Sequence, residues 1–339
     1  MVNVALLSKW HVHAEDYAHQ ALQNEHLSIK LVWDEDEERG KSWAKTLAVP
    51  FEKDLQTVLS DPSVDAVIVD TPTYKHKEVI IAAARHKKHI FTEKVLALTV
   101  ADCAEIYEEV TAANVELMIS LPKLIEPYYL YTEDVLQNGW LGQVTMVRCR
   151  VAHNGAVPFE GHPKGWLPEH FFHHEECGGG ALIDLGAHPI YLTNRLGGAV
   201  KAVTARLQNT LVDTVDDQAV VIVEYQSGAL GTIETGFVSS DSPFQLEVYG
   251  TEGTLLIEDE KIRLKSRKLS KGNWVVPEQL PSALPMPMEQ WVKAIVAKET
   301  PTITKEDAIN LTKINEAAVL SHRQGRRVLL SEIKEGNDC

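Results

Sequence analysis

The first 120 residues alternate short apolar runs with helix-compatible stretches, and this alternation constrains the fold more than any other feature of the 339-residue chain. Val2 to Leu7 is an apolar, β-favouring run followed by a polar turn and a helical stretch from about His11 to Asn24. Ile29 to Trp33 ends at Asp34 and gives way to a charged helix over Asp36 to Leu47, with Glu37/Lys41 and Trp43/Leu47 at i, i+4 spacing. Ala66 to Val69 is a strand closed by Thr71-Pro72, Lys77 to Arg85 is helical, and His89 to Phe91 is a strand ending at Glu93-Lys94. A helix over Thr99 to Ala113, with Thr99 as N-cap, and a strand over Glu116 to Ser120 complete the series. Strand, helix, strand in one sheet requires right-handed crossovers and predicts a parallel, Rossmann-type sheet, and six strands fit this stretch.

The period changes after a helix over Pro127 to Asn138. Long alternating runs follow: Gln143 to Val151, Val200 to Gln208, Gln218 to Tyr225, Ala229 to Val238, Gln245 to Tyr249 and Thr254 to Glu258. Turn signals such as Gln226-Ser227-Gly228 and Gly250-Thr251-Glu252-Gly253 separate them, which is hairpin chemistry. The expected fold class is α/β plus α+β: a Rossmann domain over 1–121, then a domain over 122–339 built on a mainly antiparallel open sheet. Helices over Glu289 to Lys298 and Lys305 to Gln324 close the chain, and the last helices are able to pack back on the first domain.

A chain of this length exceeds what one core usually supports, which agrees with two domains. The net charge of −15 opposes phosphate backbones and anionic lipid, so neither nucleic acid nor a membrane is an expected partner. A dinucleotide is not excluded, because helix N-termini and backbone N–H groups act at a range where distant charge is screened. The four cysteines (Cys103, Cys149, Cys177, Cys339) form no C-x-x-C pair, which suggests reduced thiols. Met1 runs directly into a strand, and no apolar stretch reaches the roughly 18 to 20 residues that span a bilayer, so a cytoplasmic protein is expected.

In a parallel βαβ start, a pyrophosphate rests on the first helix N-terminus while an acid ending the second strand binds a ribose hydroxyl. Asp34 occupies that position; a carboxylate there repels a 2′-phosphate, so NAD is expected in preference to NADP. The alternative is that Asp34 only caps the following helix, a role Asp36 fills equally well. The glycine fingerprint is missing: Ser8-Lys9-Trp10-His11-Val12-His13 stands where G-x-G-x-x-G/A belongs. Three readings of this loop stand. In the first, the pyrophosphate is shifted, with Ser8, Lys9 and helix N–H groups as donors; in the others, the loop is reshaped for another ligand or cofactor binding is lost.

Three further segments carry chemistry: Asp70-Thr71-Pro72-Thr73-Tyr74-Lys75-His76, then Phe91-Thr92-Glu93-Lys94-Val95, then Gly178-Gly179-Gly180-Ala181-Leu182-Ile183-Asp184-Leu185-Gly186-Ala187-His188. Lys94 ends a buried-looking strand, which aims its ammonium at the carboxyl end of the sheet, where ligands bind in this architecture. Asp184 and His188 are four apart and share a face on a helix beginning after the triple glycine. Together and in this order, the segments resemble the Gfo/Idh/MocA oxidoreductases, the relatives of glucose–fructose oxidoreductase and inositol dehydrogenase, over nearly the whole chain.

The resemblance implies a nicotinamide cofactor, a substrate pocket between two domains, and a homodimer or homotetramer formed through the open sheet. It implies a hydride moved between the cofactor and a secondary hydroxyl or ketone of a sugar, sugar derivative or inositol. His188 is then the acid/base, Asp184 a ligand of substrate hydroxyls, and Lys94 the positioner of the reacting oxygen. Ser8, Lys9, Trp10, His11, Asp34, Thr71, Pro72, His76, Glu93 and Lys94 fall on the cofactor side, and Trp166 joins the substrate side with Lys94, Asp184 and His188.

Two positions depart from the family pattern. Val95 replaces the usual proline after the lysine; a cis bond before valine costs about 3 to 4 kcal/mol, so a trans bond, or an unusually braced one, is expected. Tyr191 replaces the acid common three residues after the histidine. The run His170-Phe171-Phe172-His173-His174-Glu175-Glu176 offers metal-ligating side chains, yet it reads as a polar segment leading into the glycine turn, and no metal is expected. Competing functions are an NAD-dependent glycoside hydrolase working through transient oxidation, and a non-catalytic sugar or nucleotide sensor.

Overall fold

The computed structural model describes residues 1–259 and 261–334. The chain divides into two compact units, Met1–Leu121 with Pro285–Lys305, and Pro122–Leu284 with Glu306–Lys334.

The first unit holds β1 (Val2–Leu7), α1 (Ala14–Gln23), β2 (Leu27–Trp33), α2 (Glu37–Leu47), α3 (Leu55–Ser60), β3 (Ala66–Val69), α4 (His76–Arg85), β4 (His89–Thr92), α5 (Val100–Ala113) and β5 (Leu117–Ile119). Its strands are parallel, in the order β2-β1-β3-β4-β5. β3 is buried at every residue and β1 at all but Asn3, as expected of central strands covered on both faces. The sixth strand expected from the sequence is absent, because the chain after α2 touches the sheet only through a single bridge between Val32 and Phe51. Pro50 has no N–H to extend that pairing, and Asp54 caps α3 three residues after Phe51. Asp36 caps α2, accepting the N–H groups of Glu38 and Arg39 at 3.0 Å each, and Thr99 caps α5 through Asp102 N–H. α1 begins at Ala14 rather than near His11.

The second unit holds α6 (Pro127–Gln137), β6 (Val144–Ala152), α7 (His174–Cys177), α8 (Ala187–Gly197), β7 (Val200–Gln208), β8 (Gln218–Tyr225), β9 (Leu230–Gly236), β10 (Gln245–Gly250), β11 (Gly253–Glu258), β12 (Lys261–Ser266) and β13 (Trp274–Val275), with β14 (Val328–Leu329) at the far edge. The sheet order is β13-β12-β11-β10-β6-β9-β8-β7-β14, antiparallel except where β6 lies parallel to β9. β8 alternates cleanly: Ala219, Val221, Val223 and Tyr225 are buried, while Val220 and Ile222 are 48% and 45% exposed on the other face. α8 covers β6 and β9. Val221, Val223 and Ile233 are fully buried, each stabilising the unit by about 1.5 to 3 kcal/mol.

Two more helices close the chain. α9 (Pro287–Ala297) lies in the first unit, where the buried Trp291 packs against Phe91 at 5.7 Å and its indole N–H donates to Glu116 O at 3.4 Å. α10 (Lys305–Gln324) belongs from Glu306 onward to the second unit, where Asp307 takes Arg195 through two bonds of 2.7 and 2.6 Å. No helix among the described residues is long and apolar enough to cross a membrane.

Candidate active site

In the first unit the polar residues gather at the carboxyl ends of β1 to β4. Ser8 takes the place of the fingerprint's first glycine and adopts its backbone, with φ +78°. A side chain in that region costs about 1 to 2 kcal/mol. Ser8 N–H donates to Trp33 O at 2.7 Å and its hydroxyl donates to Glu35 Oε1 at 2.9 Å while accepting Trp10 N–H at 3.1 Å. The Ser8 hydroxyl is thus engaged inside the loop. Trp10 is 4% exposed, its indole taken into the protein interior, and His11 N–H ties the loop to Asp70 O at 3.2 Å. Lys9 pairs through its ammonium with Glu15, and α1 opens with Glu15 and Asp16 in its first turn.

Asp34 does not cap α2; Asp36 does. The Asp34 side chain has no solvent exposure and accepts four donors: Lys9 N–H at 2.8 Å and Arg39 Nε at 3.0 Å on Oδ2, Asp36 N–H at 2.8 Å and Arg39 Nη2 at 2.6 Å on Oδ1. Arg39 also reaches Glu35 at 2.7 Å. Burial works against the Arg39 charge, but Asp34 and Glu35 outweigh it and hold the guanidinium pKa above its usual value. Two donors per oxygen saturate a carboxylate.

Glu93 is the centre of a second cluster. It follows β4, is 2% exposed, and receives the Tyr17 hydroxyl and the His13 ring (Nδ1 at 3.1 Å) on Oε2, with Lys94 N–H on Oε1 at 2.9 Å. His11 Nδ1 stands 3.8 Å from Oε2 and Lys94 Nζ 3.9 Å from Oε1. Burial alone would raise the Glu93 pKa; His11, His13 and Lys94 overcome it and hold the group well below the usual carboxylate range. Asp70 is pushed the other way, by burial and then by the Glu93 charge, and its carboxyl has no hydrogen-bond partner among the described residues. Two buried acids driven apart in this manner are a pattern of functional sites.

His76 is buried, its Nδ1 at 2.8 Å from Val95 O and its Nε2 at 3.1 Å from Thr71 O. Burial keeps its pKa below the usual imidazole value in spite of those carbonyls. A neutral ring has one N–H, so one contact is a donor bond and the other nitrogen faces its carbonyl without a proton. The ring fastens the Thr71-Pro72 turn to the turn after Lys94. The Lys94–Val95 peptide there is cis, not trans.

Asp34 would supply the carboxylate for a ribose diol, and Thr71 Oγ1 and the Asp70 carboxyl are buried and without hydrogen-bond partners among the described residues at the end of β3. The residues fit a nicotinamide dinucleotide with one requirement, that Arg39 yield part of its hold on Asp34.

In the second unit the triple glycine is shaped by Asp216, a residue the sequence reading passed over. Its carboxylate accepts Gly180 N–H at 3.0 Å and Leu182 N–H at 2.8 Å, and its carbonyl accepts Ala181 N–H at 2.7 Å. A Cβ on Gly180 would lie 1.9 Å from that carbonyl oxygen, so only glycine fits. The expected helix after the glycines starts later: residues 181–186 form turns, with Asp184 N–H on Gly180 O and Gly186 N–H on Ala181 O, and α8 begins at Ala187. Asp184 therefore precedes the helix whose first turn carries His188. His188 Nδ1 lies 2.8 Å from the Tyr191 hydroxyl, which also accepts Lys123 N–H at 3.3 Å. Tyr191, noted only as a departure, is thus the partner of the histidine. Trp166 is 48% exposed, packs on His153 and donates its indole N–H to Asn154 at 3.0 Å. The His170 to Glu176 run places Phe171 and Phe172 in the interior and pairs His173 with Glu176 at 2.9 Å.

Two family descriptions match the chain: an oxidoreductase family with an NAD-binding Rossmann fold over residues 11–121, and a GFO/IDH/MocA C-terminal domain over residues 129–256. Scyllo-inositol 2-dehydrogenase (NAD(+)) of Bacillus subtilis (strain 168) is 28% identical over 309 residues, covering 86% of this chain and 85% of the relative. Myo-inositol 2-dehydrogenase of Thermotoga maritima is 26% identical over 294 residues, 83% of this chain and 84% of the relative. Among solved structures, levoglucosan dehydrogenase in complex with NADH and levoglucosan superimposes with a TM-score of 0.81 at 21% identity, over 97% of this chain and 99% of that one.

Proposed function

The chain belongs to the GFO/IDH/MocA oxidoreductases, with an NAD-binding Rossmann domain, and on that premise we propose that it oxidises a secondary hydroxyl of a sugar, sugar derivative or cyclitol. The observation that carries this reading is Lys94, buried at the carboxyl end of β4 with its ammonium 3.9 Å from the buried Glu93 carboxyl. The inositol dehydrogenase activity of the two relatives supports the substrate class.

NAD, when bound, supplies the hydride acceptor. Asp34 holds a ribose diol, and Thr71, Pro72 and His76 build the wall of the crevice. Lys94 donates to the reacting oxygen and stabilises the negative charge that develops on it. His188 takes the hydroxyl proton at Nε2, with its Nδ1–H donating to the Tyr191 oxygen. Asp184 accepts from a neighbouring substrate hydroxyl, and Trp166 offers an apolar face at the substrate side. Of the three readings of the nucleotide loop we keep the first, in which Ser8, Lys9 and the N–H groups opening α1 would donate to a shifted pyrophosphate, the Ser8 hydroxyl and the Lys9 ammonium exchanging their bonds to Glu35 and Glu15 for it.

A panel of sugars and cyclitols with NAD, followed by NADH absorbance, tests the reading. Lys94→Ala and His188→Ala are each expected to lower turnover at least about a hundredfold with NAD affinity nearly intact, and retained turnover in either refutes the assignment. The protein works in the cytoplasm as a homodimer or homotetramer built on the outer face of the second sheet. The exposed Val220 and Ile222 support that face; Ile222→Lys should yield monomers by light scattering, and an unchanged mass would point elsewhere.

A further inference from the structure

His13 stands at the last small-residue position of the nucleotide loop, with His11 two residues before it, so this chain brings two imidazoles to a loop where a pyrophosphate is usually met by backbone. Glu93 receives them both. His13 Nδ1 lies 3.1 Å and His11 Nδ1 3.8 Å from the same oxygen, Oε2, and one ligand atom from each residue falls within 4.8 Å of the others. The two rings are tilted at 59° with centroids 4.7 Å apart, so they converge instead of stacking. Zinc binds imidazole nitrogen at about 2.0 to 2.1 Å and carboxylate oxygen at about 2.0 to 2.2 Å, which makes the edge of its tetrahedron roughly 3.3 Å. The separations from Glu93 bracket that edge.

The surroundings are those of a supported site. The Tyr17 hydroxyl on Oε2 and Lys94 N–H on Oε1 hold the carboxylate in place, the kind of outer partner that orients a metal ligand. Asp70, 0% exposed and without a hydrogen-bond partner among the described residues, directly follows the adjoining strand β3. His11 Nδ1 also accepts a 3.2 Å bond from His13 N–H, a contact it would exchange for the ion.

We propose that His11, His13 and Glu93 bind one divalent transition-metal ion of the zinc class, leaving its fourth position for water or an oxygen of a bound ligand. Imidazole and carboxylate suit this class, and three protein ligands with one open position mark a site that acts on a ligand. The ion places positive charge at the strand ends where the glycine-poor loop and the acidic first turn of α1 supply little.

The test uses the full chain, stripped with a chelator and titrated with Co²⁺ alone. One equivalent per chain should bind, with the visible absorption of a four- or five-coordinate site. His13→Ala and Glu93→Gln should each weaken it at least about a hundredfold, and Tyr17→Phe about tenfold. Glu176→Gln, in the separate surface pair with His173, should leave binding unchanged. His13 is half-exposed, so its variant carries the test if Glu93→Gln fails to fold by circular dichroism. Absence of saturable binding, equal affinity in His13→Ala, or sulfur-to-cobalt charge transfer revealing cysteine ligands would each overturn the site. The readout needs neither NAD nor a substrate, so its failure is separate from failure of the hydride-transfer reading.

Discussion

Replacing Arg39 by methionine should move folding stability and NAD affinity in opposite directions. Methionine keeps most of the packing volume and removes the two donors that Asp34 receives at 3.0 and 2.6 Å. Charge-assisted bonds contribute about 1.5 to 3 kcal/mol each. The Arg39 side chain is 28% exposed and Asp34 retains two backbone donors, so the low end applies and the two Asp34 bonds account for a loss of about 2 to 3 kcal/mol, to which the lost Glu35 bond at 2.7 Å adds. On the proposed reading a ribose diol would reach Asp34 in the native protein only by displacing one of the Arg39 bonds, a cost of about 1.5 kcal/mol, or roughly tenfold in affinity. Arg39→Met should therefore unfold at lower urea concentration with an unchanged m-value, yet bind NAD about tenfold more tightly by calorimetry. Equal or weaker NAD binding in the variant would refute the competition, and unchanged stability would refute the estimate of the ion pair.

Two further outcomes follow from His76 and His188. His76 has its folded pKa depressed by burial, so the native state binds fewer protons than the unfolded chain; stability is fully present above the unfolded value of about 6.5 and falls with pH below it, by up to about 1.4 kcal/mol per unit. Urea unfolding at pH 7.5 and 5.5 should show that loss in the native protein and a smaller one in His76→Gln; equal slopes would mean that the ring is charged in the fold. Tyr191→Phe removes the hydroxyl that orients His188 and should lower kcat about fivefold, the worth of roughly one neutral hydrogen bond, with KM little changed. A loss confined to KM would place Tyr191 in substrate binding.

Most of the fold was legible because the parallel strands stand out as short apolar runs and most strands of the second sheet by their alternation. Val200 to Gln208 and Gln218 to Tyr225 match the structure residue for residue, since one face is buried and the other is not. β12 escaped notice because Lys261, Arg263 and Lys265 interleave Ile262 and Leu264, and a strand so basic reads as a solvated loop until its buried side chains are seen. Asp34 and Lys94 were visible as polar residues ending apolar runs. Arg39 was not, because its role depends on a helix turn carrying it back over the end of β2. His13 and Tyr17 also stand four apart, but only the neighbouring strand β4 shows what they face. Asp216 precedes a strand in a sequence of polar residues, and nothing local distinguishes a carboxylate that accepts two backbone amides 34 and 36 residues away.

The parallel pairing of β6 with β9 governs the order of assembly. Val147 lies opposite Gly231 across the middle of the sheet, and the segment between them contains the glycine turn, Asp184 and His188. Closing so long a loop costs chain entropy that no local contact repays in advance. The two hairpin series, β7 to β9 and β10 to β12, can each form from near neighbours, but they become one sheet only when β6 enters between them. Folding of this unit should then be slow and dominated by that late insertion, and the same event that completes the sheet fixes the segment carrying Asp184 and His188 against it.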